Sequence, residues 1–496
     1  MQVRRITDAL RIRGVHQATE IAHDDTRRAI TFAELDREVD EVAGGLAASG
    51  LRPGERVFLP ISNHHAVEHM VAVFAVLRAG GIACPINTRF NAREVADYAA
   101  LVEPRFAITD TPDILNNLPL DGQWTVDAMP RDAAALPDQA SLDPAADAEI
   151  LATSGTTGKI KGVVVSHADL VRGVTGTNMD RSRSTLHALP LTGSGGNLGI
   201  VMLPVRGGAT AYTQPRFDAG EFLELTRRLR PDLVYLVPSM LRLLLDHPDA
   251  AKYDMAGVKY LMTGTAPLPH DSVMRTLQLW PHLRMRNSYG MSEGGVGIGT
   301  STREQVLKPG CVGKLPAHMQ LRDENGDVIT TPHVVGEIYG YQPNPRRYWR
   351  DEEATAQAFA GGWTRSGDLG YIDDDGDLIM AGRSKELIIR GGYNITPLEI
   401  ENVLHQHPAV QSAAVLGVPH DVLGEDIAAA IALRPGASVG AEDLQQYVRD
   451  NLADNKVPRT IRFFDELPLN PNGKVLKREL RAPLEEAAHE RRQRRA

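Results

Sequence analysis

Thr153-Ser-Gly-Thr-Thr-Gly-Lys159, continuing through Ile160 to Lys161-Gly162-Val163, decides how this chain is read. Glycine lets backbone N–H groups approach a ligand, hydroxyls donate hydrogen bonds and ammonium groups neutralise charge, so the run holds the ingredients for enclosing a polyphosphate. A P-loop would place Gly five residues before its Gly-Lys pair and Ser or Thr directly after it. Thr153 and Ile160 occupy those positions, which rejects a P-loop kinase or NTPase. The run leads into Val163-Val-Val-Ser-His167, which reads as a second strand rather than a helix. The expected device is a strand-loop-strand phosphate grip, although such a run taken alone is as often an exposed turn.

The chain around it has 496 residues and a net charge of −9. That length exceeds one ordinary domain, so two or more units are expected. The acidic balance leaves no electrostatic footprint for nucleic acid or an anionic membrane and favours a small-molecule ligand. Only two cysteines occur, Cys84 and Cys311, in no metal-ligand spacing. They exclude a disulfide framework, read as buried thiols and suit a reducing cytoplasm. No apolar run approaches the ~18 residues of a membrane span, since Val71-Ala-Val-Phe-Ala-Val-Leu77 stops at Arg78. The first ten residues lack the apolar core of a secretory signal.

Thr31-Phe-Ala-Glu34 is a capping box, Leu35, Val39, Val42 and Leu46 share one helical face, and Gly50 closes that helix. Residues 66–79 predict a second, apolar helix, whereas Thr111 to Asp147, rich in Pro, Asp and Ala, reads as a connecting region. Strands and helices then alternate to about residue 330, which implies mostly parallel sheets covered by helices. From Gly336 the texture changes to short strands and tight turns, for which a small distorted β-barrel is expected. The acidic hairpin Asp373-Asp-Asp-Gly-Asp377 invites a calcium reading, but an EF-hand loop would need an acid where Tyr371 stands. A solvated turn is the better account. After Arg383 a small α+β tail is expected, with a second capping box at Thr396-Pro-Leu-Glu399 opening helix 396–407, strand 412–418, helix 441–453 and strand 460–464. Glu485 to Ala496 reads as a frayed, solvated helix.

Several further runs could serve a nucleotide. Asn287-Ser-Tyr-Gly-Met-Ser-Glu293 offers a ring to stack on a base, a hydroxyl and a carboxylate suited to Mg²⁺. Met262-Thr-Gly-Thr-Ala-Pro267 reads as a strand end with a tight turn. Asp368, in Arg365-Ser-Gly-Asp368, and Arg383 offer an acceptor and a cation for ribose hydroxyls. Asn470-Pro-Asn-Gly-Lys474 is a turn presenting one lysine. Each run alone has a structural reading of comparable weight.

Taken together, in this order, the runs closely resemble the adenylate-forming (AMP-binding) superfamily over nearly the whole chain, in its acyl-CoA synthetase or acid–CoA ligase branch. The resemblance implies a large N-terminal domain over residues 1–383 and a mobile C-terminal domain over 384–496, with a hinge near Lys385. It implies that Thr153, Ser154, Gly155, Thr156, Thr157, Gly158 and Lys159 hold the β- and γ-phosphates. Gly264, Thr265 and Ala266 would line the nucleotide, with Asn287, Ser288, Gly290 and Met291 around Tyr289, which would stack on adenine. Ser292 would touch the α-phosphate, Glu293 would hold Mg²⁺, and Asp368 and Arg383 would bind ribose. Lys474 would bridge the substrate carboxylate and the α-phosphate. Arg390, Gly391, Gly392 and Tyr393 would approach the pantetheine arm of coenzyme A.

The implied reaction is ATP- and Mg²⁺-dependent conversion of a carboxylic acid to an acyl-adenylate, followed by transfer to CoA. Rival readings are an enzyme that loads a carrier protein's phosphopantetheine and a non-catalytic nucleotide-binding relative. One departure concerns the acid. After Pro190-Leu, where many relatives place an aromatic or His, this chain has Thr192, Gly193, Ser194, Gly195 and Gly196, with no ring between 191 and 197. The expectation is a roomy acyl pocket that favours a bulky or branched apolar acid over acetate. His187 or Tyr212 filling that space is the alternative.

Overall fold

The computed structural model describes residues 3–116, 118–154, 160–176, 184–469 and 474–493. Its first half is built on two sheets. One has eight strands and runs from Gly297–Gly299 through Arg284–Gly290, Tyr260–Thr263, Leu233–Leu236, Ser184–His187, Thr210–Thr213 and Ile21–Asp24 to Ala29–Thr31. The other has seven, ordered Arg347–Tyr348, Ile160–Ser166, Asp147–Ser154, Ile82–Pro85, Arg56–Leu59, Phe106–Thr109 and Gly122–Thr125. Both are parallel in their interiors and antiparallel only at the ends, as alternating strands and helices require.

The helices between these sheets are specified locally. Thr31 accepts from the Glu34 N–H while Glu34 reaches back to the Thr31 N–H, so the capping box forms and opens helix Phe32–Ala48. That helix buries Leu35, Val39, Val42 and Leu46 against helix Ala66–Arg78, every residue of which is buried. Arg78 is tolerated there because it pairs with Asp36 and Asp40, each at 2.7 Å. The connecting region carries a strand that its composition hides, Gly122–Thr125, parallel to Phe106–Thr109.

A third, antiparallel sheet is made largely from residues 311–383. Its hydrogen-bonded path runs from Cys311–Lys314 to Val328–Ile329 without closing, so the barrel expectation becomes a sheet curved by bulges at Cys311/Gly313, Glu337/Tyr339 and Leu369/Gly370. Residues from 388 onward form a five-stranded sheet with its own apolar clusters and the helices Pro397–Gln406, Ala441–Asn451 and Lys477–Gln493.

Three tail expectations change. Thr396 makes no side-chain cap; Pro397 starts the helix and Glu399 instead holds Lys456 at 2.7 Å. The strand expected at 412–418 extends over Val410–His420 and pairs with an unanticipated strand, Gly424–Leu433. The C-terminal helix starts earlier than expected, at Lys477, and packs through Leu480, Leu484 and Ala488, which recur every four residues and are buried; between Glu485 and Gln493 Ala488 alone is buried, and residues 494–496 lie outside the described ones.

Candidate active site

The strand-loop-strand reading of the opening run is met by its flanks. Asp147–Ser154 and Ile160–Ser166 are antiparallel, with Thr153 opposite Lys161 and Ser154 opposite Ile160. Gly155, Thr156, Thr157, Gly158 and Lys159 lie outside the described residues.

The predicted nucleotide residues converge from separate strands. Tyr289, in the strand Arg284–Gly290, donates its hydroxyl to Asp368 Oδ2 at 2.7 Å, and Asp368 Oδ1 lies 2.9 Å from Arg383 Nε. Burial raises the Tyr289 phenol pKa, and the Asp368 charge raises it further. Gly264, Thr265 and Ala266 follow the neighbouring strand Tyr260–Thr263, where Ser288 Oγ donates to the Thr263 carbonyl at 2.8 Å. A Cβ on Gly264 would lie 3.1 Å from the Ser288 carbonyl, so a larger residue would crowd this join. Asn287 turns into the frame, its carboxamide donating to the Cys311 carbonyl at 2.9 Å. Gly290 is exposed, and Met291 packs at the edge of the third sheet's core.

Ser292 and Glu293 carry the next layer. Ser292 Oγ donates to Ser194 Oγ at 2.9 Å, which ties this run to the Gly-rich stretch. Glu293 Oε1 accepts the Tyr348 hydroxyl at 2.9 Å, and the Lys161 ammonium sits 4.4 Å from the Tyr348 ring centre. Arg346 donates to the Ser292 carbonyl. Burial pushes its guanidinium down to about 10, Arg172 adds to the fall, and Glu149 and Glu293 oppose it. Sequence reasoning missed Arg346 and Tyr348; their only signal was the basic and aromatic run Arg346-Arg-Tyr-Trp-Arg350.

Lys474 enters this corner from the C-terminal part. Its side chain is exposed by surface area yet surrounded by protein at longer range, and that desolvation lowers its pKa most. Arg383 lowers it further, while Asp368, Glu293 and Glu386 oppose the fall, so Lys474 shares the field of the nucleotide residues. Lys385 lies in the short turn Ser384–Glu386 at the end of the strand Asp377–Arg383. Gly391 and Gly392 adopt φ of 58° and 84°, and Tyr393 is exposed. Arg390 is committed elsewhere, to Asp426 at 2.8 Å and the Asn455 carbonyl at 2.7 Å.

The Gly-rich stretch forms a helical turn, Ser194–Gly196, running into a wider turn, Asn197–Val201. Thr192 is buried, and Gly196 must be glycine because a Cβ would fall 2.0 Å from the Pro190 carbonyl oxygen. Neither ring suggested as a filler does that work. His187 is buried and accepts from the Leu189 N–H at 3.1 Å while bonding Thr213 at 2.7 Å, and Tyr212 packs against the cluster that contains Leu186, Phe222 and Leu223. Instead Tyr235 comes across from the strand Leu233–Leu236, its ring 4.0 Å from a Cβ on Gly199. Beneath the turn, Asn197 donates to the wholly buried Glu149 at 2.8 Å.

Glu293 fits a Mg²⁺ ligand. With Oε1 engaged by Tyr348, its second oxygen suits a hard cation, and one carboxylate completed by phosphate oxygens is a Mg²⁺ donor set. Among the described residues the one carboxylate group dense enough for a metal on its own is Asp373, Asp375 and Asp377. The Lys308 ammonium fills it, 2.7 Å from each. Cys84 and Cys311 are free and buried, and burial pushes the Cys311 thiol up to about 11. Among the described residues no helix is long and apolar enough to cross a membrane.

Residues 11–349 match the AMP-binding enzyme family and residues 399–474 its C-terminal domain. The chain belongs to this family and is an ATP-dependent acid–CoA ligase within it. It is 33% identical to a feruloyl-CoA synthase of Amycolatopsis over 485 residues, covering 94% of this chain and 95% of that one. It is 31% identical to a 2-succinylbenzoate–CoA ligase of Bacillus cereus, covering 92% and 94%. The crystal structure of ATP-bound MatB from Rhodopseudomonas palustris superposes with a TM-score of 0.85 at 28% identity, covering 97% of this chain and 99% of that one.

Proposed function

We propose that the chain activates a bulky, aromatic carboxylic acid, with the residues above in the following roles. The observation that carries the reading is the convergence of Tyr289, Asp368, Arg383, Glu293 and Lys474 from distant segments on one corner. The aromatic class rests on the acids in the two relatives' names, and the bulk on the Gly-rich turn.

Carboxylate alone is a poor acyl donor, because a thiol cannot expel oxide. Tyr289 stacks on adenine, Asp368 and Arg383 hold the ribose, and residues 153–159 hold the β- and γ-phosphates. A carboxylate oxygen of the acid attacks the α-phosphorus, the bond to the β-phosphate breaks, and pyrophosphate leaves. Two anions meet in this step. Lys474 offsets their repulsion and stabilises the charge that develops, while Ser292 donates to the α-phosphate. Glu293 would hold Mg²⁺, which when bound would supply charge neutralisation for the phosphates. Tyr348 fixes the Glu293 carboxylate that receives it.

In the second step the CoA sulfur attacks the acyl carbon and AMP departs. The exposed segment Gly391-Gly392-Tyr393 suits the approach of a thiol arm, because its glycines adopt left-handed φ and admit close backbone contact. It lies in the C-terminal unit, residues 384–496, as does Lys474. A pivot at Lys385, between this unit and residues 1–383, exchanges the two. The two buried free thiols fit a reducing cytoplasm.

The test is ATP–pyrophosphate exchange, with thioester detection, over acetate, hexanoate, benzoate and cinnamate. Exchange with the aryl acids and formation of aryl-CoA are expected. Preference for acetate contradicts the acid class, and exchange without any CoA thioester points to carrier-protein loading.

A further inference from the structure

Tyr235 is a buried polar group that the chemistry above leaves without a task. It is 8% exposed, lies in the strand Leu233–Leu236, and belongs with Leu189 to the large apolar cluster against which Leu198, Met240 and Met262 pack. Among the described residues its hydroxyl has no hydrogen-bond partner, and burial raises its pKa, so it stays a protonated donor. The hydroxyl lies 3.1 Å from a Cβ built on Gly264 and 4.0 Å from one on Gly195. It therefore stands where the nucleotide segment meets the Gly-rich turn. Gly195, Leu198 and Gly199 are each partly exposed within the turn, which marks an open volume beside the phenol.

A second hydroxyl nearby also lacks a partner. Thr265 holds a left-handed φ of 70°, a strained conformation for a β-branched residue, and its Oγ1 is buried without a hydrogen bond. Its Cγ2 lies 3.4 Å from a Cβ on Gly195, directly across the turn. A buried donor without a partner costs roughly 1–3 kcal/mol, and proteins rarely carry one without use. The Thr265 hydroxyl is such a donor, and the Tyr235 hydroxyl, also without a partner among the described residues, opens onto the space beside the turn; together they mark a polar spot on an apolar wall. That pattern reads a single oxygen on a mostly apolar ligand.

We propose that Tyr235 is a specificity-determining residue whose phenol hydrogen-bonds a ring hydroxyl of the acid, so that the enzyme's class of substrate is hydroxylated aryl acids rather than bare ones. This rests on the aryl-acid reading above. The glycines at 195 and 199 are part of the device, because side chains there would enter the space beside the phenol. A site built to bond a hydroxyl discriminates strongly against the analogue that lacks it, since the protein group is then left unpaired.

The experiment measures kcat/KM for adenylation by the full chain and by Tyr235→Phe. The probes are matched pairs: cinnamate against the 2-, 3- and 4-hydroxycinnamates, and benzoate against the hydroxybenzoates. The parent is expected to favour one hydroxylated isomer by about tenfold or more. Tyr235→Phe, which deletes only an unpartnered oxygen, should reduce that preference to within about threefold through loss on the hydroxylated acid. The bare acid and KM for ATP should be unchanged, and a thermal melt should match the parent. A parent that prefers the bare acids, or a selectivity that survives Tyr235→Phe, overturns the proposal and leaves the aryl-acid reading standing. Absence of exchange with every aryl acid overturns both.

Discussion

Replacing Glu149 by Gln should make the protein more stable, by an amount that depends on pH. Glu149 lies in the strand Asp147–Ser154, which leads into the phosphate loop, and is wholly inaccessible. One carboxylate oxygen accepts from Asn197 Nδ2 at 2.8 Å; the other has no partner, and neither has Asn197 Oδ1. Burial pushes the carboxyl up from 4.5 to about 7, with Asn197, Arg206 and Arg346 opposing the rise. Below about pH 4.5 the group is neutral in both states and carries no penalty. As pH rises the unfolded chain ionises first, so stability falls until pH passes about 7 and then levels. At about 1.4 kcal/mol per pH unit, that gap makes the ionised group roughly 3 kcal/mol worse in the fold than in the open chain. The carboxamide that Glu149→Gln introduces would accept from Asn197 as before and would also donate to Asn197 Oδ1, giving both unpaired atoms partners. Urea unfolding followed by circular dichroism at several pH values is the assay. Glu149→Gln should be more stable by about 3 kcal/mol at about pH 8, with the difference shrinking towards about pH 4.5. Equal or lower stability at the alkaline end, or a gain independent of pH, would refute the reasoning.

Tyr348→Phe removes the hydroxyl that fixes Glu293 and should weaken the apparent affinity for Mg²⁺ in adenylation by about tenfold or more, read from a Mg²⁺ titration; an unchanged titration means Tyr348 does not position Glu293. Lys385→Pro fixes φ near −65° at the pivot, so adenylation should persist while transfer to CoA falls. Both rates remaining within about threefold of the parent would place the pivot elsewhere.

What the sequence exposed, it exposed through local chemistry. The run after Lys161 is a short stretch of consecutive β-branched valines and forms a strand, and the Thr31 box caps its helix because both partners lie three residues apart and have no competing bond. Thr396 has the same pattern and fails, because Glu399 finds Lys456 fifty-seven residues away. The strand Gly424–Leu433 escaped notice because Ala428, Ala429 and Ala430 have little strand preference; their pairing is decided by the neighbouring strand. Charges crowding the last helix obscured Leu480, Leu484 and Ala488.

Within the site, motif residues were legible and their supports were not. Glu293 stands in a motif, but Tyr348, fifty-five residues on, becomes its partner only through the fold. Glu149 looks like one acid in an apolar strand, and nothing local reveals that it faces Asn197. Tyr235, inside Leu233-Val-Tyr-Leu236, reads as a core aromatic; only the glycines opposite make its hydroxyl conspicuous.

The central claim is that Lys474 acts while carboxylate and α-phosphate meet and is dispensable once the mixed anhydride exists. Its field is shared with Arg383, Asp368 and Glu293, at the nucleotide corner. The most direct measurement takes Lys474→Ala and times the two half-reactions separately, adenylation from acid and ATP and thioester formation from supplied acyl-adenylate and CoA. The account predicts that adenylation falls by about a hundredfold or more while thioester formation stays within a few fold of the parent. Equal loss in both half-reactions, or survival of adenylation, would contradict it.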